Sequence, residues 1–166
     1  MLQLLDKHKY IQDVPIGYSL YENRLTAIMG SNIKTSYFTS NILLQLISFY
    51  SYEDLKIVVF TNEQNEYKWD YIKYLNHNFT NDKSIRLFST NKDSAKNLCD
   101  YLFYIFQTKT PAEKQTDLQK PYYLILTDDY SQIKRFDFIK TVTETDDDMG
   151  FSMLIIENKL NNLPSK

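Results

Sequence analysis

Short apolar runs alternate with longer amphipathic segments along this chain, and that alternation restricts the possible folds more than any other feature. The runs indicate strands at 24–29, 55–61, 85–89, 122–127 and 151–157, and the segments between them indicate helices at about 34–50, 66–75, 92–107 and 131–143. Apolar runs without polar alternation are typical of strands buried on both faces. The pattern predicts an α/β fold, with a doubly wound, mainly parallel sheet flanked by helices and joined by right-handed crossovers.

The segment at 92–107 gives the clearest helical pattern. Its apolar residues recur at three- and four-residue spacing, and Asn91 or Thr90 can cap its start. Cys99, the one cysteine, lies on the apolar stripe, so we expect it to pack in the core; alone it supplies neither a disulfide nor a metal site. Residues 1–13 are a polar-amphipathic lead-in, and 14–166 are expected to form a single domain. Since the chain stops soon after its last strand, we expect a truncated domain, excised from a longer multidomain protein.

The junction between the first strand and the first helix resembles a phosphate-binding loop without its chemistry. In G-x-x-x-x-G-K-[ST], backbone N–H groups surround the phosphates, the lysine reaches the outer phosphates and the hydroxyl holds Mg²⁺. Counting from Gly30, the last three motif positions fall on Thr35, Ser36 and Tyr37, none of which has the required side chain. Lys34 followed by Thr35 imitates the end of the motif in a shortened form. We interpret Lys34 as a solvated lysine near a helix N-terminus.

An acidic pair follows the strand at 122–127, where a nucleotide hydrolase carries the carboxylates that hold Mg²⁺ and polarise water. Asp128 and Asp129 occupy these positions. Without a phosphate loop opposite them, they have no substrate to act on. We therefore interpret both as vestigial, or as caps for the helix that follows.

Composition excludes several other functions. The 166 residues carry a formal net charge of −2, which gives no electrostatic basis for binding nucleic acid. No run approaches the roughly 18 apolar residues that span a bilayer, and no signal peptide is visible at the start. His8 and His77 have no partners for a metal site, and the acidic run 146–148 lacks the spaced ligands of a calcium loop. No metal and no cofactor is expected.

Several further stretches, taken in order, resemble one family of ATPase domains. As in that family, a tryptophan precedes the strand at 85–89. Asn76, however, stands where the family more often has proline. The stretches are Val14-Pro15-Ile16-Gly17, Ala27-Ile28-Met29-Gly30, Leu43-Leu44-Gln45-Leu46, Ser51-Tyr52-Glu53-Asp54-Leu55-Lys56-Ile57-Val58, Trp69, Tyr74-Leu75-Asn76-His77 and Ile85-Arg86-Leu87. The chain is similar, over residues 9 to 164, to the FtsK/SpoIIIE-type domains of the membrane ATPase of firmicute type VII secretion (the EssC/YukB family).

The resemblance implies a RecA-like P-loop fold and a place in a bacterial protein secretion motor. Members of that family carry several such domains in tandem behind a transmembrane region, and some are degenerate. This chain resembles a degenerate one, so the expectation is a noncatalytic cytoplasmic domain of a membrane-anchored protein. Its expected partners are adjacent ATPase domains of the same polypeptide or oligomer, with secreted substrates and other secretion components as further candidates. Contact surfaces are sought at Tyr67, Tyr71 and Tyr74, and at Tyr18 and Tyr21, although these side chains could equally cover the sheet.

Two alternatives stay open at this point. The first is an active or weakly active NTPase with an unorthodox phosphate loop, which would bind ATP and Mg²⁺ and energise translocation. The second is a flavodoxin- or receiver-like domain, which shares the same alternation of strands and helices. A receiver needs acids after its first strand and a flavodoxin needs a glycine-containing phosphate loop there. Gly30 and Ser31 supply neither.

Overall fold

The computed structural model describes residues 17–109, 120–159 and 163–164, without the side chain of Asn32. The strands are β1 (Leu25–Met29), β2 (Leu55–Phe60), β3 (Phe88–Ser89), β4 (Tyr122–Thr127) and β5 (Phe151–Glu157). The α-helices are α1 (Asn32–Phe49), α2 (Lys92–Thr108), α3 (Tyr130–Ile133) and α4 (Asp137–Glu144), and two 3₁₀-helices span Glu66–Trp69 and Asn76–Asn78. No helix in the described ranges is both long and apolar enough to cross a membrane.

The sheet has five parallel strands in the order β1-β5-β4-β2-β3. The predicted α/β architecture, with a parallel sheet flanked by helices, is confirmed. β2 and β4 lie inside the sheet, and all six residues of β2 are buried. Strand side chains alternate between the two faces, so each strand contributes to two separate cores.

One core lies between the sheet and helices α2, α3 and α4. Cys99 is buried in it, as predicted, and burial raises the pKa of its thiol to about 12. The second core lies on the opposite face, where Leu43 of α1, Trp69 and Ile72 cover the sheet. The predicted cap of α2 is confirmed: Asn91 accepts from the N–H of Ser94, whose hydroxyl reciprocates in a capping box.

Two predicted helices are wrong in part. The segment 66–75 forms only a 3₁₀-helix at Glu66–Trp69, followed by turns, because its buried side chains are Trp69 and Ile72, three residues apart. The segment 131–143 divides into α3 and α4 at an extended Phe136. In one continuous helix Ile133 and Ile139 would face about 120° apart; the break allows both to enter the core.

Two strand predictions also need correction. The strand expected at 85–89 is shortened to β3, with Arg86 forming an isolated antiparallel bridge to Phe79. β1 was expected to be buried, but it lies at the edge of the sheet and its residues are half-buried or exposed. The lead-in at 1–13 falls outside the described residues, so the domain limits stay predictions.

Candidate functional site

The sequence-predicted site residues meet at the carboxyl ends of the strands, where parallel sheets generally bind their ligands. Thr35 and Ser36 approach Asp128 across a cleft with a volume of about 120 Å³. The 65–69 segment and the end of β5 complete its walls. The full lining is Thr35, Ser36, Asn65, Lys68, Trp69, Asp128, Ile156, Glu157 and Asn158.

The connection from β1 to α1 consists of only Gly30 and Ser31. Ser31 has extended backbone angles, and the N–H of Thr35 donates to the Ser31 carbonyl at 3.0 Å, an ordinary first-turn helical bond. The Thr35 hydroxyl donates to the same carbonyl at 3.2 Å. A Cβ at Gly30 would lie 3.3 Å from Cγ2 of Thr35, so the strand end packs directly against the helix. The two-residue connection is shorter than the loop of the phosphate-binding motif.

The residues at the positions of the phosphate-loop motif differ in burial and in their distance from the cleft. Thr35 is buried, whereas the side chains of Lys34 and Tyr37 are exposed to solvent. Ser36 is half-buried and lines the cleft. The structure thus brings Thr35 and Ser36 to the site and leaves Lys34 outside the residues that line it.

Asp128 is a half-buried carboxylate, and each of its oxygens accepts a hydrogen bond. The Thr61 hydroxyl donates to Oδ1 at 2.7 Å, and Nε1 of Trp69 donates to Oδ2 at 3.1 Å. Burial raises the pKa of Asp128, and the two hydrogen bonds partly oppose that shift. The carboxylate therefore joins the ends of β2 and β4 to the 66–69 turn, which makes it a structural crosslink in this fold.

Asp129 occupies the predicted N-cap position of α3, but its side chain makes no capping bond to the helix backbone. Its carboxylate instead accepts from Nδ2 of Asn62 at 3.0 Å and from the Ser131 hydroxyl at 2.7 Å. Its own N–H donates to the Thr127 hydroxyl. This pattern fixes the loop after β4 against the loop after β2.

Sequence reasoning missed the partners of these carboxylates. Thr61 and Trp69 lie 67 and 59 residues before Asp128, and no local pattern joins them. The position of Thr61 and Asn62 at the end of a buried strand could have indicated this contact, because the carboxyl ends of parallel strands lie at the same edge of the sheet. Lys68 was also missed; its Nζ donates to Oδ1 of Asn65 at 2.7 Å inside the cleft.

These residues do not fit Mg·ATP held in the manner of a phosphate loop. The loop motif surrounds phosphate with a run of backbone N–H groups ahead of its helix, whereas only Gly30 and Ser31 lie between β1 and α1. Both oxygens of Asp128, the carboxylate in the magnesium-ordering position, already accept from neighbouring side chains. Among the described residues, no group of three or more potential metal-binding side chains comes together.

The tyrosines considered as contact surfaces differ in how far they are exposed. Tyr67 and Tyr74 are 69% and 82% exposed, and Tyr71 is partly covered through a hydrogen bond with the Ser40 hydroxyl. Tyr18 is exposed and bonds to the hydroxyl of Thr26. His77, for which no metal role was expected, contacts the Tyr50 carbonyl through Nε2 at 2.9 Å.

Comparison with known proteins gives a fold-level result. No protein-family model matches the sequence, and no curated protein matches it either. Among solved structures, the chain is similar to Thermomonospora curvata EccC (ATPases 2 and 3), determined in complex with a signal sequence peptide. The TM-score is 0.63 at 12% sequence identity, over 87% of this chain and 27% of that chain. At this identity the likeness establishes the fold, that of a RecA-like P-loop domain, and the chain spans about a quarter of the solved chain's length.

Proposed function

We propose that this chain is a noncatalytic, pseudo-ATPase domain of a type VII protein secretion motor, acting in assembly, regulation or substrate coupling. The proposal combines the sequence resemblance to FtsK/SpoIIIE-type domains with the structural likeness to EccC. On this reading the P-loop scaffold is kept for its packing surfaces, and the site at the carboxyl edge of the sheet serves to hold the fold together.

The observation that carries the proposal is the connection between β1 and α1. Two residues, Gly30 and Ser31, join the strand directly to the helix, which is shorter than the loop of the phosphate-binding motif. Phosphate binding by a P-loop depends on several backbone N–H groups converging on one point. Here only two residues precede the helix, so the connection lacks the longer run of N–H groups that surrounds phosphate in that motif.

The state of Asp128 supports the same proposal. This carboxylate is half-buried and already accepts hydrogen bonds from Thr61 and Trp69, which tie it to two other parts of the fold. Substituting Asp128 should therefore lower the stability of the fold, whatever its effect on activity. That expectation separates a structural carboxylate from a catalytic one.

The proposed partners follow from what the similar protein is. The solved EccC chain contains two ATPase domains and was determined with a signal sequence peptide. By analogy, we propose that this domain contacts adjacent ATPase domains of its own polypeptide or oligomer, and secreted proteins. We also propose that it is the cytoplasmic part of a membrane-anchored bacterial protein.

Nucleotide-dependent stability tests the proposal. Thermal melting and ATP turnover are measured for the wild-type chain, Lys34→Ala and Asp128→Ala, with and without millimolar Mg·ATP. Lys92→Ala is the matched control, because Lys92 is also an exposed lysine in the first turn of a helix, α2. We expect no turnover and no nucleotide-dependent shift in the melting temperature of any variant.

A contrary result would identify the alternative function. Ligand at 100 times its dissociation constant stabilises a folded protein by about 2.7 kcal/mol, which a melting curve detects readily. Stabilisation of the wild type and of Lys92→Ala, but not of Lys34→Ala, would indicate an NTPase with an unorthodox phosphate loop. Turnover lost in Asp128→Ala while that variant stays folded would assign catalysis to this carboxylate.

A further inference from the structure

The segment that follows β2, residues 63–75, covers one side of the cleft, and we call it the strap. It contains one short 3₁₀-helix and a series of turns. Each backbone hydrogen bond of these turns joins residues three apart, within residues 62–78. Among the described residues, no backbone group of the strap pairs with a strand or with another helix. The strap is therefore joined to the sheet through its backbone only at its two ends.

Side-chain contacts within the strap hold it together as one body. Nζ of Lys73 pairs with the carboxylates of Glu66 and Asp70, the latter at 2.7 Å. Nζ of Lys68 donates to Oδ1 of Asn65, also at 2.7 Å. Both partners of each contact belong to the strap, so these contacts persist when the strap moves as a whole. They favour movement of the strap as a unit over separate unfolding of its turns.

Two hydrogen bonds tie the strap to the rest of the domain between its ends. Nε1 of Trp69 donates to Oδ2 of Asp128 at 3.1 Å, and the hydroxyls of Tyr71 and Ser40 lie 3.2 Å apart. The contact of Tyr71 is exposed to water, which weakens it, whereas the contact of Trp69 has a charged acceptor. The bond between Trp69 and Asp128 is therefore the main polar contact that keeps the strap in place.

The apolar contacts of the strap are few as well. Trp69 and Ile72 are its buried side chains, and both pack in the second core. Nζ of Lys73 lies 5.0 Å from the ring centre of Phe88, which adds a cation–π contact. β2, by contrast, pairs with strands on both sides and is buried along its whole length. Segments with few buried contacts open at a lower free energy than the core of the same domain.

Movement of the strap changes the cleft directly. Asn65, Lys68 and Trp69 line the cleft from the strap, so its opening removes one wall. Asp128 follows β4 and stays with the sheet, where Oδ1 keeps the hydroxyl of Thr61 as its donor. Oδ2 loses the indole N–H and becomes accessible from the cleft. Opening of the strap thus converts a narrow cleft into an open edge of the sheet with one free carboxylate oxygen.

We propose that the strap opens as one unit while the sheet stays folded, and that this opening widens the cleft beside Asp128. Its two ends stay fixed, because Asn62 donates to Asp129 at 3.0 Å and Asn78 donates to two buried carbonyls at 2.8 Å. Neither nucleotide nor a partner takes part in the opening, so it is measured on the free chain whatever the outcome for the proposed function.

Hydrogen exchange of the full chain under native conditions tests the proposal. The backbone N–H groups of Lys68, Ile72 and Leu75 each donate within the strap, so each exchanges only when its turn opens. All three should show one common opening constant, larger by about 100-fold or more than that of the β2 and β4 amides and only weakly dependent on urea. Trp69→Phe removes the indole N–H and should raise this constant by about 10-fold or more.

Thr61→Val is the matched control, because Thr61 donates to the same carboxylate as Trp69 but lies outside the strap. It should speed exchange of the β2 and β4 amides, which need global unfolding, and leave the opening constant of the strap unchanged. Equal acceleration of strap and sheet in Thr61→Val would mean that the strap unfolds only with the whole domain, and the proposal would be wrong. Unequal opening constants at the three strap amides of the wild type would also overturn it, since the turns would then open separately.

Discussion

Substituting Thr61 by valine isolates one hydrogen bond of the Asp128 crosslink. Thr61 is fully buried, and its hydroxyl donates to Oδ1 of Asp128 at 2.7 Å. Valine has nearly the same shape, so the change removes the hydroxyl without opening a cavity. The half-buried carboxylate then keeps Trp69 as its remaining donor.

The expected loss follows from the charge on the acceptor. A hydrogen bond to an ionised group contributes about 1.5–3 kcal/mol, against about 0.5–1.5 kcal/mol for a neutral pair. We therefore expect Thr61→Val to lower the free energy of unfolding by about 2 kcal/mol at neutral pH. With a urea m-value of about 1–3 kcal/mol/M, the unfolding midpoint should fall by about 1 M.

Urea denaturation followed by the fluorescence of Trp69, the one tryptophan, measures this loss. Thr39→Val is the matched control: Thr39 is equally buried, but its hydroxyl donates to a helix carbonyl, so its loss should be smaller. In an Asp128→Ala background, Thr61→Val should cost less than about 0.5 kcal/mol, because its acceptor is gone. Equal losses in both backgrounds, or no loss in the wild type, would refute the structural role of Asp128.

Three further predictions concern buried polar groups. Burial raises the pKa of Asp128 above 3.8, so the folded state binds the proton more tightly than the unfolded state does. Relative to Asp128→Asn, the wild type should therefore gain stability as pH falls toward 3.8 and lose it as pH rises through the folded pKa. Urea denaturation at several pH values measures the difference. Burial lowers the pKa of Lys109 to about 8, against attraction by Asp148, so the wild type should gain stability relative to Lys109→Met between pH 8 and 10.5; a constant difference would contradict this. Asn78→Ala should cost about 2–3 kcal/mol in the same assay, because its side-chain amide donates to two buried carbonyls at 2.8 Å.

Elements defined by local pattern were predictable from the sequence. The strands at 55–61, 122–127 and 151–157 follow from uninterrupted apolar runs, and α2 follows from its periodicity and its Asn91 cap. The segment 66–75 misled because its tyrosines repeat at helical spacing while staying largely exposed. The side chains that are buried are Trp69 and Ile72, which lie three residues apart, so the segment forms a 3₁₀-helix and turns where an α-helix was predicted. The sequence does not report directly which side chains are buried.

Features that depend on strand order were beyond local reasoning. The run 24–29 has the composition of a central strand, yet β1 is at the edge, because order is set by crossovers among distant elements. That the side chains of the phosphate-loop motif are missing follows from Thr35, Ser36 and Tyr37, while the loss of nucleotide binding stays a prediction. The Thr61–Asp128–Trp69 crosslink could not be predicted, because its members join only after β2 and β4 pair.

Isothermal titration of the full chain with Mg·ATP, and separately with Mg·ADP, tests the central claim most directly. The protein concentration must be high enough to detect millimolar affinity. The account predicts no heat of binding for either nucleotide. A dissociation constant below about 100 μM, equivalent to about 5.5 kcal/mol at 25 °C, would show that the short junction after Gly30 still holds phosphate, and would contradict the proposed noncatalytic role.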